Sequence, residues 1–592
     1  MPWAIFNRPS IQLSALKGYL QQQDANLLVE TSHPYLDAAK KIGLENYRRI
    51  SENIWAAEAL YCGLLFPERR DRARDVFHRS LDRRALGSLP DFDTLADLLD
   101  AHLQEWLKRL DLNDCFLIGF TVCFSQLPAT LLAARRIKKK YRQMPIVFGG
   151  STCSPRIGFS LLKVFPEIDF IINGEGEKSL LRLCQYLSGE RRHPGHNVQY
   201  REENTGQPQK KPAVHIKNDE IRVMDSLPFP DYDDYFRELH NLGLSFIPSL
   251  PLEFSRGCWW NKCTFCNLNL QWCGYRSKSS TRVLQEVKQL AGKYRCLDFT
   301  FTDNSLPPKE ADRFFAATGQ SDKDLRFFGE IRTLNNPETY TLFKKGGLSS
   351  VQVGIEAFSN SLLNRMKKGV TVIDNIAAMK YAAEAGIKLD GNLILEFPGS
   401  NEKEVEETLQ VLDFVLPYRP LKGAGFFLGH GSPVWKDPKQ FGLKAIIRHP
   451  YNRQLYPEHL MKDLEMLIQS FRGDRQFQHR IWKPVRKKIR FWADFHTQRN
   501  TDRTPLTYRQ GGDFIIIRQE YPDRETLHHR LYGLSRKIYL SCRRPVGINI
   551  LLREFNSVTE EQLLSFLADL RQKRLLYYDE NSCLALAVKE GV

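Results

Sequence analysis

Three cysteines fall within nine residues of the stretch SRGCWWNKCTFCNLN (255–269): Cys258, Cys263 and Cys266. Thiols so close together in sequence and on a short loop suit metal chemistry, and two kinds are open to them. A structural zinc ion takes four ligands, usually as two Cys or His pairs; Cys263 and Cys266 form one CxxC pair and Cys273 is near enough in sequence to be a fourth ligand. A 4Fe–4S cluster is held by cysteine thiolates on tight loops. Held by only three, it keeps one iron open to a chelating ligand. The aromatic Phe265 stands between the last two cysteines. Twelve cysteines in 592 residues are too sparse for a disulfide scaffold, and those outside this group are scattered among apolar neighbours.

The elements around the loop predict where it sits. LPLEF (250–254) is a strand candidate, and the cysteines begin four residues beyond it. From 250 to about 430, further strand candidates (LDFTFT, RFFGEIR, SVQVGIEA, IKLDGNLILEF, GAGFFL) alternate with helical patterns near 281–293, 308–318, 336–345, 359–367, 372–385 and 402–415. Six βα units without a GxGxxG fingerprint predict a partial barrel, in which chemistry sits at the C-terminal strand ends. Residues 25–190 alternate too. ANLLVE (25–30), DCFLIGFTV (114–122), MPIVFGG (144–150) and EIDFIINGEGE (167–177) read as strands of a Rossmann-like parallel sheet with a helical insert at about 35–110. Ligands of such sheets bind beyond the carboxyl ends of the strands: Thr121 to Ser125, Gly149–Gly150–Ser151 and Gly174–Glu175–Gly176. On spacing alone, those glycines serve tight turns equally well. Residues 191–245 read as a linker, with one hairpin in 189–225. From 456 to 592 the pattern predicts a helix over 457–471, a strand DFIIIR (513–518), helices near 524–537 and 559–573, and a terminal hairpin, an α+β winged-helix-like arrangement. The expected architecture is α/β: 1–190, 246–455 as the barrel, and 456–592.

The loop and barrel together resemble the radical S-adenosylmethionine superfamily, whose usual motif is CxxxCxΦC with Φ aromatic; here the first gap is one residue longer. The resemblance implies a 4Fe–4S cluster on Cys258, Cys263 and Cys266, with S-adenosylmethionine chelated at the open iron. It extends to FTDNS (301–305), which implies Asp303 and Asn304 as contacts to the methionyl end; to EIRT (330–333), with Glu330 and Arg332; to GIEAFS (354–359), with Glu356 at the ribose; and to NLILEFPG (392–399), with Ile394 by the adenine. GFTVCFSQ, IVFGGS and DFIINGEGE resemble the cobalamin-binding domain that precedes the barrel in one large class. That resemblance assigns cobalamin to the three strand ends named above, including Thr121, Ser125, Gly149, Gly150, Ser151, Gly174, Glu175 and Gly176. The DxHxxG histidine that ligates cobalt elsewhere is missing; DAHLQE (100–105) lacks its glycine. Trp55 is a candidate cap for the cobalt face, with a core role as the alternative. MPWAIFNRPSIQL, LPFPDYDDYF, EFSRGCWW and LALAV resemble the subgroup that matures ribosomally made peptides, in which the MPW segment follows a strand, whereas here it opens the sequence.

The resemblance implies methylation of an unactivated carbon in a precursor peptide. The rivals are methylation of a small natural-product intermediate, and a radical rearrangement or oxidation. A reductant such as flavodoxin or ferredoxin is an implied partner, and residues 505–592 are the expected reader of a leader peptide. The net charge of +16 also admits a zinc-bearing nucleic-acid binder, with the basic stretch 472–503 as its contact; Val485, Ile489 and Trp492 at helical spacing instead predict a helix with one solvated basic face, and two βα domains are left unexplained by that rival. A methylthiotransferase acting on tRNA lacks support because its extra N-terminal cysteine cluster has no counterpart. No apolar run reaches the roughly 18 residues of a membrane span and no signal-peptide pattern opens the chain, which predicts the cytoplasm.

Overall fold

Glycine and proline punctuation breaks the chain into short strands and amphipathic helices, which the structure gathers around two extended apolar cores. The structure is a computed structural model that describes residues 1–81, 87–201, 219–499, 501, 503–522, 524–579 and 581–590. The hairpin expected within 189–225 lies partly outside the described residues.

In the N-terminal part, strands β1 (Ile118–Thr121), β2 (Ile146–Gly149) and β3 (Phe170–Ile172) run parallel, and β4 (Val198–Tyr200) adds antiparallel to β3. Helices Leu127–Lys140 and Pro155–Val164 make the crossovers. The insert is helical, from Pro34–Ile42 to Phe92–Arg109. ANLLVE is a correction: residues 27–30 form no strand, and Leu28 is 84% exposed. The run is too short to bury both faces, and it follows directly on the turn that ends helix Ile11–Gln23.

The middle part is the six-unit α/β array the spacing predicts. Strand β5 is Leu250–Leu252, and a two-residue ladder, β6 (Ser255–Arg256) with β7 (Arg276–Ser277), closes the cysteine loop. Strands β8 (Asp298–Phe301), β9 (Arg326–Ile331), β10 (Leu348–Val353) and β11 (Lys388–Asp390) follow β5 in one parallel sheet ordered β11-β10-β9-β8-β5. The fifth predicted strand is broken at Gly391. Its second half, β12 (Asn392–Leu395), pairs with β13 (Lys422–Gly425) and bridges to Glu356, which continues the curve.

Strands β14 (Leu428–Gly429), β15 (Ala445–Arg448) and β16 (Ile468–Arg472) form a small antiparallel sheet. The helix expected over 457–471 is therefore corrected to a single turn, Glu458–Met461, and then β16. Apolar residues at helical spacing also suit a strand once a partner such as β15 is present. The basic stretch forms helices Arg475–Ile481 and Lys483–Gln498, with Val485, Ile489 and Trp492 buried and the cations outward. Beyond it come β17 (Leu506–Gln510), β18 (Phe514–Gln519) and β19 (Leu527–Tyr532), paired as an antiparallel meander. The helix expected near 524–537 begins only at Gly533, because LHHRLY pairs along β18. Then follow helix Gly533–Ser541, β20 (Val546–Gly547), helices Ile548–Glu554 and Glu560–Gln572, and the hairpin β21 (Leu576–Tyr578) and β22 (Ser582–Ala585), with β23 (Val588–Lys589) returning to β17. Among the described residues no helix is long and apolar enough to cross a membrane.

Candidate cluster and cofactor site

The cysteine loop hangs from the C-terminal end of the first barrel strand, and local chemistry fixes its neck. Gly257 has φ +82°, and a Cβ there would lie 2.4 Å from the carbonyl oxygen of Gly274; only glycine lets the two sides approach so closely. Asp303, just past β8, accepts from the Phe254 amide (3.0 Å) and the Ser255 hydroxyl (2.5 Å). Further out, the loop is docked onto the segment after β10. The Thr264 amide donates to Met366 O (3.1 Å) and Trp260 Nε1 to Lys367 O (2.9 Å). It also touches the segment after β14, where Asn267 donates to His430 O at 3.3 Å.

Cys258, Cys263 and Cys266 are all half-buried on this loop and form no disulfide. Burial pushes the Cys266 thiol up to about 11, and its neighbours Cys263 and Cys258 push the same way. Burial raises Cys263 too, opposed by the positive charges of Lys368 and Arg332. The three thiols therefore share one electrostatic neighbourhood with two cations at hand, which fits three thiolates on a negatively charged cluster. The Cys273 amide donates to Glu220 (2.9 Å), which ties that end of the loop to the neck. Among the described residues no three His, Cys, Asp or Glu side chains converge as a single metal ion requires.

The residues expected to face S-adenosylmethionine separate into two groups. Glu330, Arg332, Glu356 and Lys368 gather beneath the loop. Arg332 lies 4.0 Å from Cys263 Sγ, donates to Lys368 O, and sits over the Trp260 ring at 4.1 Å. Burial, with Glu356 alongside, lifts the Glu330 carboxyl to about 7. Glu356 has φ +62°, uncommon for a non-glycine residue; it is held there by the bridge to β12 and meets Lys368 Nζ at 3.4 Å. The Ile394 amide donates to Glu356 O (2.8 Å), which brings β12 against the same spot. Phe265 packs on the barrel core, with Lys368 Nζ 6.0 Å from its ring centre. Asp303 and Asn304 are engaged with the loop itself. Asp303 is fully buried, lifted to about 7 by that burial, and has both oxygens engaged at the neck; Asn304 reaches Asn269 at 3.5 Å. Both brace the loop.

The N-terminal strand ends also divide. Thr121 Oγ1 and Ser154 Oγ are buried without a protein partner beside Gly149–Ser151, and Ser125 is buried with φ +62°. These hydroxyls stand where they would pair with a polar ligand laid across the ends of β1 and β2. Gly174–Gly176 is engaged by the protein itself. Both Glu175 oxygens are taken, by Arg256 (2.7 Å) and the Ile221 amide (3.0 Å) on one side and by Arg276 (2.5 Å) on the other. A Cβ on Gly176 would press on Leu16 at 3.0 Å. This third loop is a strut against the neck of the cysteine loop. Trp55 stacks on His449 (4.2 Å, 12°), so its ring face is already covered.

Arg256, Arg276, Lys368 and Trp260 were not anticipated. Arg256 and Arg276 stand at paired positions flanking the loop, the one signal that could have found them; Lys368 and Trp260 have none short of the fold. Arg256 is buried, which opposes its charge, yet Glu177, Glu253 and Glu175 hold its pKa above the ordinary guanidinium value.

Residues 252–412 match the family model of the Radical SAM superfamily. This stretch, which contains the cysteine loop and β8 to β12, is a radical SAM domain, and its cofactors are a 4Fe–4S cluster and S-adenosylmethionine. Three curated relatives are similar. An uncharacterised methyltransferase of Pyrococcus horikoshii is 27% identical over 53% of this chain and 67% of its own length. An anaerobic magnesium-protoporphyrin IX monomethyl ester cyclase of Synechocystis is 21% identical over 51% and 60%, and a hopanoid C-3 methylase of Methylococcus capsulatus 25% over 51% and 57%. The chain thus spans between about half and two thirds of these relatives. A solved structure of the radical S-adenosylmethionine methyltransferase TsrM from Kitasatospora setae, with cofactor analogue and tryptophan bound, is 18% identical over 78% of this chain and 89% of that one, at a TM-score of 0.49.

Proposed function

We propose that the chain is a cobalamin-dependent radical S-adenosylmethionine C-methyltransferase acting in the cytoplasm on a ribosomally made precursor peptide. The observation that carries this reading is the juxtaposition at the neck. Arg256 and Arg276 tie the cysteine loop to Glu175 of the N-terminal sheet, so the ends of β1 and β2 and the cluster loop belong to one assembly. Two relatives are named as methyltransferase and methylase, which supports methyl transfer; the one named as a cyclase keeps a radical rearrangement or oxidation as the second reading.

When bound, the cluster supplies an electron to S-adenosylmethionine to start radical chemistry, and cobalamin supplies a methyl carrier. The cofactors carry the difficult steps, and the protein positions them and excludes water. Cys258, Cys263 and Cys266 hold the cluster. Arg332 and Lys368 place positive charge beside it. Glu330 and Glu356, at the ends of β9 and β10, offer acceptors to the ribose and amino groups of S-adenosylmethionine, and Ile394 an apolar wall to the adenine. Thr121, Ser125 and Gly149–Ser151 take the corrin. A flavodoxin- or ferredoxin-like donor supplies the electron.

The test is metal content after anaerobic reconstitution with iron, sulfide and hydroxocobalamin, beside the Cys258→Ala/Cys263→Ala/Cys266→Ala variant. About four irons and one cobalt per chain, with iron lost and cobalt kept in the variant, is the expected result. Iron without cobalt transfers support to the oxidation reading, and zinc without a cluster overturns both.

A further inference from the structure

The segment MPWAIFNRP has no part in the cluster loop or the corrin site, yet the fold gives it a fixed course. Three buried tyrosines from three helices donate to alternate carbonyls along it. Tyr47 of helix Leu44–Ser51 reaches Ala4 O, Tyr235 of helix Asp233–Asn241 reaches Phe6 O, and Tyr35 of helix Pro34–Ile42 reaches Arg8 O, each at 2.8 Å. Between the last two, Asn7 O accepts from the Ser249 amide at 3.0 Å. Ser249 directly precedes β5, which ends the sheet β11-β10-β9-β8-β5. The segment therefore lies against the edge of the barrel sheet, with its backbone pinned.

From that edge Arg8 reaches inward. On β9, Phe327 packs on Phe314 and Phe315 of helix Pro308–Thr318, with ring centres 5.2 and 5.8 Å apart. Alternation along the strand then turns Phe328 and Glu330 to the bore. The Arg8 guanidinium carbon lies 5.9 Å from the centre of the Phe328 ring, within cation–π reach. Thr300, paired with Phe328 across the sheet, shares a 2.8 Å contact with the Ser249 hydroxyl. These neighbours are all neutral. Among the described residues no carboxylate pairs with Arg8, and its Nε is buried without a partner. Burial pushes its pKa below the ordinary guanidinium value, with no acid opposing the shift. A guanidinium stays charged in a protein, and a buried charge without a counter-charge is costly. The tyrosine contacts hold this one in place, facing the bore.

We propose that Arg8 binds a carboxylate of the substrate inside the barrel bore. Phe328 and Glu330 are two residues apart on β9, about 6.6 Å along the strand. A carboxylate on Arg8 thus lies one layer beneath the ribose assigned to Glu330, and the contact sets how deep the substrate enters and which of its carbons meets the radical. The inference rests on the peptide reading above for the source of that carboxylate: an acidic side chain or a free C-terminus, which share this chemistry.

The test uses the full chain with reconstituted cluster and cobalamin, in the presence of S-adenosylmethionine, at about 150 mM salt. Three probes are compared by saturation-transfer NMR of their acetyl methyl group: acetyl-Ala-Glu-Ala-amide, its Gln counterpart, and acetyl-Ala-Ala-Ala with a free C-terminus. One carboxylate probe should bind roughly tenfold more tightly than the Gln peptide; the Glu peptide identifies a side chain as the source, the free acid a chain end. Arg8→Gln should abolish the preference and Arg8→Lys should keep part of it, both with the parent's iron, cobalt and S-adenosylmethionine dissociation constant. Equal binding of all three probes by the parent, which needs no variant, overturns the proposal. So does a preference that survives Arg8→Gln, or a loss of S-adenosylmethionine affinity in that variant, which would make Arg8 a cofactor contact. Cofactors retained without a carboxylate preference sinks the role of Arg8 alone, whereas the preference without cobalt leaves that role standing and removes the methyl carrier.

Discussion

Asp303 and Glu175 are both carboxylates near the expected cofactors, and in both the oxygens are already engaged by the protein. For Asp303 this has a pH consequence. Burial holds its folded pKa near 7, against an ordinary value of 3.8. Between those values the folded state binds a proton that the unfolded state has released, so the group's contribution is full below about pH 4 and is lost as pH rises through 7. Asp303→Asn removes the titration. Its stability relative to the parent should rise by up to about 1.4 kcal/mol per pH unit over that window, as read by urea unfolding from pH 5 to 8; a constant difference would show that Asp303 is ionised throughout. Glu175→Gln should weaken the neck but leave the cobalamin dissociation constant of the folded fraction unchanged, measured by the absorbance change of added hydroxocobalamin. A loss of affinity there would return Glu175 to the corrin site.

At the scale of elements, the cysteine loop depends on a neck of two residue pairs, Ser255 with Ser277 and Arg256 with Arg276. Gly257→Ala places a Cβ against the Gly274 carbonyl at a φ that disfavours side chains. The strain, about 1–3 kcal/mol, falls on the loop rather than on the barrel core. The variant should therefore melt near the parent temperature yet retain much less iron, measured by colorimetric assay and by the cluster's visible absorbance. Gly274→Ala, at a position where nothing lies within 4 Å of the added carbon but φ is +95°, should show a milder loss of the same kind.

Across the whole molecule, the buried Arg256 helps link the two α/β parts. Arg256 from the barrel meets Glu175 and Glu177 from the N-terminal part as well as its own neighbour Glu253. Breaking a buried pair by removing one partner costs about 3–5 kcal/mol. Arg256→Met takes the guanidinium from Glu177 and Glu253 and leaves Glu175 to Arg276 and the Ile221 amide, so limited proteolysis should cut the variant between the two parts faster than the parent, and denaturant unfolding should split into two transitions. A single transition at the parent midpoint would show that the apolar contacts alone hold the parts together.

The sequence by itself determined the cluster loop and the six βα units, because both are local: thiols within nine residues share a loop in any fold, and apolar periodicity depends on neighbours in the chain. It also placed a helix on the basic stretch, with Val485, Ile489 and Trp492 on its inward face. The tertiary structure alone decided which carboxylates are committed to the neck. Asp303, Glu175, Glu330 and Glu356 look alike in sequence, and only the approach of Ser255, Arg256 and Arg276, distant from their partners along the chain, commits the first two to the neck. It also decided the strand partners, turning residues 468–472 and 527–532 from expected helix into β16 and β19. A strand is completed by hydrogen bonds to another segment, and no local pattern specifies which segment will be there.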